Sequence, residues 1–157
     1  MPSYHDVVKH VGSDVPFFIN KKPATISGIG ENVVNLNDTS PMKIIIAVPK
    51  IGLNTKQVFE KYDSIKSKHS EKFLWNGISI FNDLWNSSIE IYPELKTIKQ
   101  NLEDSYNKNF FMSGSGSALF SLFEEHEEIE EIVSKEFSLK YFSITKKIDC
   151  SLSQNDD

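Results

Sequence analysis

Gly12-Ser13-Asp14-Val15-Pro16-Phe17-Phe18 and Met112-Ser113-Gly114-Ser115-Gly116-Ser117-Ala118-Leu119-Phe120 both set small residues against an apolar run. That arrangement suits a place where backbone approaches a ligand beside a packed core. The first segment adds a carboxylate, Asp14, at the end of a short amphipathic stretch. A carboxylate base together with a donor-rich loop is what phosphoryl transfer requires. The base orients and deprotonates the attacking hydroxyl, and the loop steadies the charged group in transit. Each segment alone also has an ordinary reading: the Ser/Gly loop as a hairpin turn, Asp14 as a cap or turn residue.

Other chemistries find less support. The net charge of −5 and pI near 5.4 argue against a nucleic-acid footprint. Neither central strand carries exposed aromatics with basic flanks, which removes an RNA-recognition reading. All 17 basic residues are Lys, so no bidentate arginine clamp on phosphate is available. His5, His10, His69 and His126 share no metal-ligand spacing. Cys150, the single cysteine, excludes an internal disulfide and suits a reducing cytosol. Residues 1–30 lack a signal peptide, and no apolar run reaches the roughly 18 residues of a membrane span. The expectation is a cytoplasmic protein without membrane or nucleic-acid partners.

With 39% apolar residues and eleven Phe, the chain can bury a sizeable core. Residues 3–11 read as the end of a helix closed by Gly12, and a helix starting at the first residue suggests a chain cut from something longer. Strands are expected at 15–20, 24–27 and 33–36, with glycine-bearing turn 28–32 before the third. Asn37-Asp38-Thr39-Ser40-Pro41 is the best linker, and a domain boundary is placed there. The β-branched run 43–48 reads as a strand buried on both faces. Asn54 or Thr55 caps a helix through residue 62, and 63–72 reads as a polar loop. Helices follow at 81–91 and 93–105, then strands at 109–113 and 117–123 around the Ser/Gly loop. A helix at 124–137 turns Ile129, Ile132 and Val133 inward, with its acidic run 124–128 a solvated face. A strand at 141–148 precedes a frayed tail, 149–157. From residue 42 onward this is βαββαβ, an α+β ferredoxin-like order with extra helices in the first crossover.

Taken together, these residues resemble the carboxy-terminal part of the 4-diphosphocytidyl-2-C-methyl-D-erythritol kinase family, within the GHMP (galactokinase, homoserine kinase, mevalonate kinase, phosphomevalonate kinase) superfamily. The segments that carry the likeness are 12–18, Gly28-Ile29-Gly30-Glu31, Pro49 followed by Thr55-Lys56-Gln57-Val58-Phe59, and Ser113-Gly114-Ser115-Gly116-Ser117. Phe81-Asn82-Asp83-Leu84 agrees with a fifth, weaker one. The resemblance implies an ATP-dependent kinase of the non-mevalonate isoprenoid route, with Mg²⁺ arriving on the nucleotide and no protein ligand for it identified. It implies that Asp14 is the catalytic base, that Thr55 and Phe59 contact substrate, with the Phe59 ring against a cytosine, and that Ser113, Gly114, Ser115, Gly116 and Ser117 form a loop near the phosphates. Val58 and Phe59 fit equally well as core residues of a short helix.

The family's glycine-serine phosphate loop opening a helix has no match here, nor does its early segment with the catalytic lysine. Both belong to the front half of the full kinase. The expected organisation is therefore a remnant of the amino-terminal kinase domain at 1–38, a ferredoxin-like domain at 42–148, and the tail. Two alternatives stay open: a non-catalytic ferredoxin-like module that binds a small molecule, and a half-protein that works with a separate amino-terminal partner.

Overall fold

A computed structural model describes residues 12, 15–20, 23–30, 32–36, 42–65, 71–130 and 137–146. The chain divides into two compact units between Pro41 and Met42.

In the first unit, α1 (Val15–Asn20) is followed by an antiparallel hairpin of β1 (Ala24–Ser27) and β2 (Asn32–Asn35), in register from Ala24 opposite Asn35 to Ser27 opposite Asn32. Leu36 N–H extends the hairpin by donating to the Pro23 carbonyl at 2.8 Å. The strand expected at 15–20 is a helix instead. Val15 N–H donates back to the Gly12 carbonyl at 3.2 Å, and Pro16 falls in the first turn, where a missing N–H costs nothing. A six-residue apolar run carries too little periodicity to separate the two outcomes.

The second unit is built on a four-stranded antiparallel sheet ordered β6–β7–β3–β8. Its strands are β3 (Met42–Pro49), β6 (Phe111–Met112), β7 (Leu119–Glu124) and β8 (Leu139–Lys146). Ile45 of the central β3 stands opposite Ser121 on β7 and Ile144 on β8. Between β3 and β6 the chain forms α2 (Thr55–Ser64), a hairpin of β4 (Phe73–Trp75) and β5 (Ile78–Ile80), α3 (Trp85–Ile91) and α4 (Glu94–Tyr106). The first sheet strand lies between the third and the fourth, which is the ferredoxin-like arrangement.

The core gathers Ile45 and Ala47 from β3, Leu119 and Phe123 from β7, Leu95 and Leu102 two turns apart on α4, and Phe110, Met112, Phe137 and Leu139. Ile45, Ala47 and Pro49 are buried while Ile44, Ile46 and Val48 are half-buried. So β3 is not sealed on both faces as its unbroken apolar run suggested. An antiparallel sheet covered by helices on one face needs full burial on that face only.

Three further expectations change. Residues 124–130 are not helical: Glu124 ends β7, and a turn and irregular chain follow, while residues 131–136 lie outside the described set. Glu127 is drawn out of any helix by its partners. Its carboxylate accepts from Glu124 N–H at 2.8 Å and pairs with Lys108 Nζ at 2.6 Å, and its carbonyl accepts from Lys43 Nζ. The acidic run is thus partly a structural clasp, with Glu124 also accepting from Asn76 Nδ2 at 2.5 Å. Finally, residues 73–80 form a hairpin around Asn76-Gly77, and the helix expected from 81 begins at Trp85.

Candidate functional site

The Ser/Gly loop joins β6 to β7 and closes on itself. Ser113 N–H donates to the Ala118 carbonyl at 2.9 Å, and Gly116 N–H to the Ser113 carbonyl at 3.0 Å. Gly114 and Gly116 have φ of 56° and 91°, values that side chains disfavour. At Gly116 the space is also taken: a Cβ would lie 2.5 Å from Leu53 Cδ2 and 3.0 Å from Met112 Sδ. At Gly114 nothing lies within 4 Å. One glycine lets the loop pack against the segment leading into α2; the other keeps its outer side open.

The start of α2 meets this loop. Thr55 Oγ1 and Ser115 Oγ share a hydrogen bond at 2.9 Å, across 60 positions of sequence. Asn54 is the N-cap, its Oδ1 accepting from Gln57 N–H at 3.2 Å. Tyr92 braces that cap from the end of α3. Its hydroxyl accepts from Asn54 N–H and donates to Gln57 Oε1, both at 3.2 Å. Along α2, Val58 is fully buried, whereas Phe59 is 49% exposed and lies about one turn from Thr55. The two residues that looked interchangeable as core therefore part ways.

Asn82 holds the loop from the other side. Its Nδ2 donates to the Met112 carbonyl at 2.7 Å and the Gly114 carbonyl at 2.8 Å. Its Oδ1 accepts from Leu84 N–H at 2.9 Å, and its carbonyl from Trp85 N–H at 3.0 Å. Of the residues singled out in the sequence, Thr55 and the 113–117 loop are thus in direct contact, and Phe59 follows on the same helix. Asp14 lies outside the described residues. Asn82 and Tyr92 were not anticipated as site residues. Asn82 had two visible signals: its place in the 81–84 segment that resembles the kinase family, and its position two residues before Leu84, the N-cap of the helix that begins at Trp85, where an Asn side chain can take a free backbone N–H.

Among the described residues no three His, Cys, Asp or Glu gather as a metal site, and no helix is long and apolar enough to cross a membrane.

Residues 70–137 match the family model for the C-terminal domain of GHMP kinases, and the chain carries a GHMP kinase C-terminal domain. It is similar to the 4-diphosphocytidyl-2-C-methyl-D-erythritol kinase of Protochlamydia amoebophila, with 36% identity over 114 residues, 71% of this chain and 40% of that protein. The kinase of the same name from Clostridioides difficile is 33% identical over 148 residues, 84% of this chain and 49% of that protein. A crystal structure of 4-(cytidine 5′-diphospho)-2C-methyl-D-erythritol kinase superposes with a TM-score of 0.63 at 23% identity, over 77% of this chain and 48% of that one; it attests the fold. The chain spans about half the length of the curated relatives it matches, or less.

Proposed function

We propose that this chain supplies the rear half of a cytosolic kinase that moves the γ-phosphate of ATP to the 2-hydroxyl of 4-diphosphocytidyl-2-C-methyl-D-erythritol. The observation that carries the reading is the hydrogen bond between Thr55 and Ser115, because it joins the glycine loop to a helix that presents Phe59 outward. On this reading Thr55 and Phe59 hold the substrate, the exposed aromatic stacking on its cytosine. The loop, open at Gly114, admits phosphate oxygens close to its backbone. Asp14 takes the proton from the attacking hydroxyl. Mg²⁺ comes with the nucleotide as its counter-charge. The segment up to about residue 38 belongs to the amino-terminal kinase domain, and 42–148 forms the carboxy-terminal one.

The front half that the relatives possess provides the helix-backed phosphate loop and the lysine, so activity belongs to both halves together. Titration of this chain alone with Mg-ATP is expected to show no binding tighter than about millimolar, near −4 kcal/mol. Adding a front half in trans restores ATP-dependent phosphorylation of the cytidylyl substrate. Asp14→Asn then lowers turnover by about 10²–10⁴-fold with substrate affinity little changed, since the amide keeps the shape and loses the basicity. Micromolar ATP binding by the chain alone, or no turnover from the assembled halves, sinks the proposal.

A further inference from the structure

We infer that Asn82 is the positioning residue of the glycine loop, setting where Gly114 and Ser115 stand for the reaction proposed above, on which this inference rests. The side-chain amide of Asn82 ties the loop to the start of α3. Two donations, at 2.7 and 2.8 Å, reach carbonyls that bracket Ser113 at the start of the loop. One acceptance, at 2.9 Å, takes Leu84 N–H as the chain turns into α3, which has no side-chain cap bond at its own N-cap residue, Leu84. Among the described residues the loop's backbone is otherwise closed by the bonds from Ser113 to Ala118 and from Gly116 to Ser113, and its two positive-φ glycines resist no rotation on their own. Gly114, whose carbonyl Asn82 grips, has open space where a side chain would be. Packing therefore does not hold it, and hydrogen bonding does. Asn82 also fixes Ser115 indirectly, the residue whose hydroxyl meets Thr55.

The chemistry of the amide makes the role separable from folding. Asp in the same place keeps the oxygen that accepts from Leu84 N–H, so the start of α3 survives. It has no N–H to donate, and it sets a carboxylate against two carbonyl oxygens. A residue that merely capped α3 would tolerate Asn82→Asp. One that positions the loop would not.

The test has two arms. In the chain itself, backbone ¹⁵N relaxation is measured for Gly114, Ser115 and Gly116 in the wild type, Asn82→Asp and Asn82→Ala. The expected result is a fall in order parameter at Gly114 and Ser115 from about 0.85 to below about 0.6 in both variants, with β3 and β7 unchanged. Unaltered order parameters at the loop in Asn82→Asp overturn the inference. The second arm uses the two assembled halves, where Asn82→Asp is expected to lower kcat by about tenfold or more while KM for the cytidylyl substrate moves less than about threefold. A KM change with kcat intact overturns it too. If the wild-type halves show no kinase activity, the functional proposal fails, while the relaxation arm still decides whether Asn82 holds the loop.

Discussion

Replacing Gly116 by Ala separates two costs that the neighbouring Gly114→Ala does not combine. At both sites an L side chain must adopt a positive φ, which costs about 1–2 kcal/mol. Both variants also lose some unfolded-state freedom, worth about 0.4–1 kcal/mol in their favour, and this cancels in the comparison. At Gly114 the account ends there, because the new methyl enters open space. At Gly116 the methyl arrives 2.5 Å from Leu53 Cδ2 and 3.0 Å from Met112 Sδ. Leu53 can swing its terminal methyl aside, but Met112 is 97% buried in the core and must push back into Leu119 and its neighbours. Overpacking of that kind costs about 1–3 kcal/mol. Gly116→Ala is therefore expected to destabilise by about 1–3 kcal/mol more than Gly114→Ala, from a domain whose total stability is typically about 5–15 kcal/mol. Urea unfolding of the chain followed by circular dichroism measures this as a lower midpoint at unchanged slope. Equal midpoints for the two variants would refute the argument that the loop is seated against Leu53 and Met112.

Two other outcomes follow from the same geometry. Phe59→Ala is expected to leave stability within about 0.5 kcal/mol, since the ring is half exposed, yet to weaken substrate binding in the assembled kinase by about 1–3 kcal/mol; Val58→Ala should do the reverse, and calorimetry with thermal unfolding tells them apart. The Lys108 hydrogen bond, followed by the Glu124 N–H, holds the Glu127 carboxyl below its ordinary value of 4.5. Its contribution is then fully present above pH 4.5 and is lost as pH falls through the lower folded value, so Glu127→Gln should lower stability across the neutral region and leave the acid end nearly unchanged, which flattens the acid limb of stability against pH.

What the chain disclosed before its structure depended on how local each signal is. Strands β3, β7 and β8 and helices α2 and α4 announce themselves through long apolar runs, a capping Asn54 and Pro93 ahead of a helix. The hairpin at 73–80 was missed although Asn76-Gly77, with φ of 46° and 79°, is a strong turn signal; three-residue strands are too short to show alternation. The helix expected over 124–137 failed across 124–130 because Glu127 is pulled towards Lys108 and Lys43, partners far away in sequence. The same reason hid the braces of the site. Asn82 reaches Met112 across 30 positions and Tyr92 reaches Gln57 across 35, and bonds of that separation leave no periodic trace. The loop was singled out by its own Ser/Gly run, and Thr55 and Phe59 through likeness to a kinase family, which records the outcome of packing without explaining it.

The strand order carries a consequence for how the molecule is made. The central strand of the sheet, β3, is the first of the four to leave the ribosome, and both of its neighbours, β7 and β8, come from the far end of the chain. At about 5–20 residues per second, several seconds of synthesis separate β3 from the strands it will pair with. In that interval Ile44, Ile45, Ile46 and Val48 form a β-branched row with neither flank hydrogen-bonded in the sheet, the kind of segment that chains recruit into aggregates. Helices α2, α3 and α4 are made in the meantime, and α4 carries Leu95 and Leu102, which share the core with Ile45 and Ala47 in the folded domain. The crossover that separates β3 from its partners in sequence is thus also the first part of the chain made that could cover it.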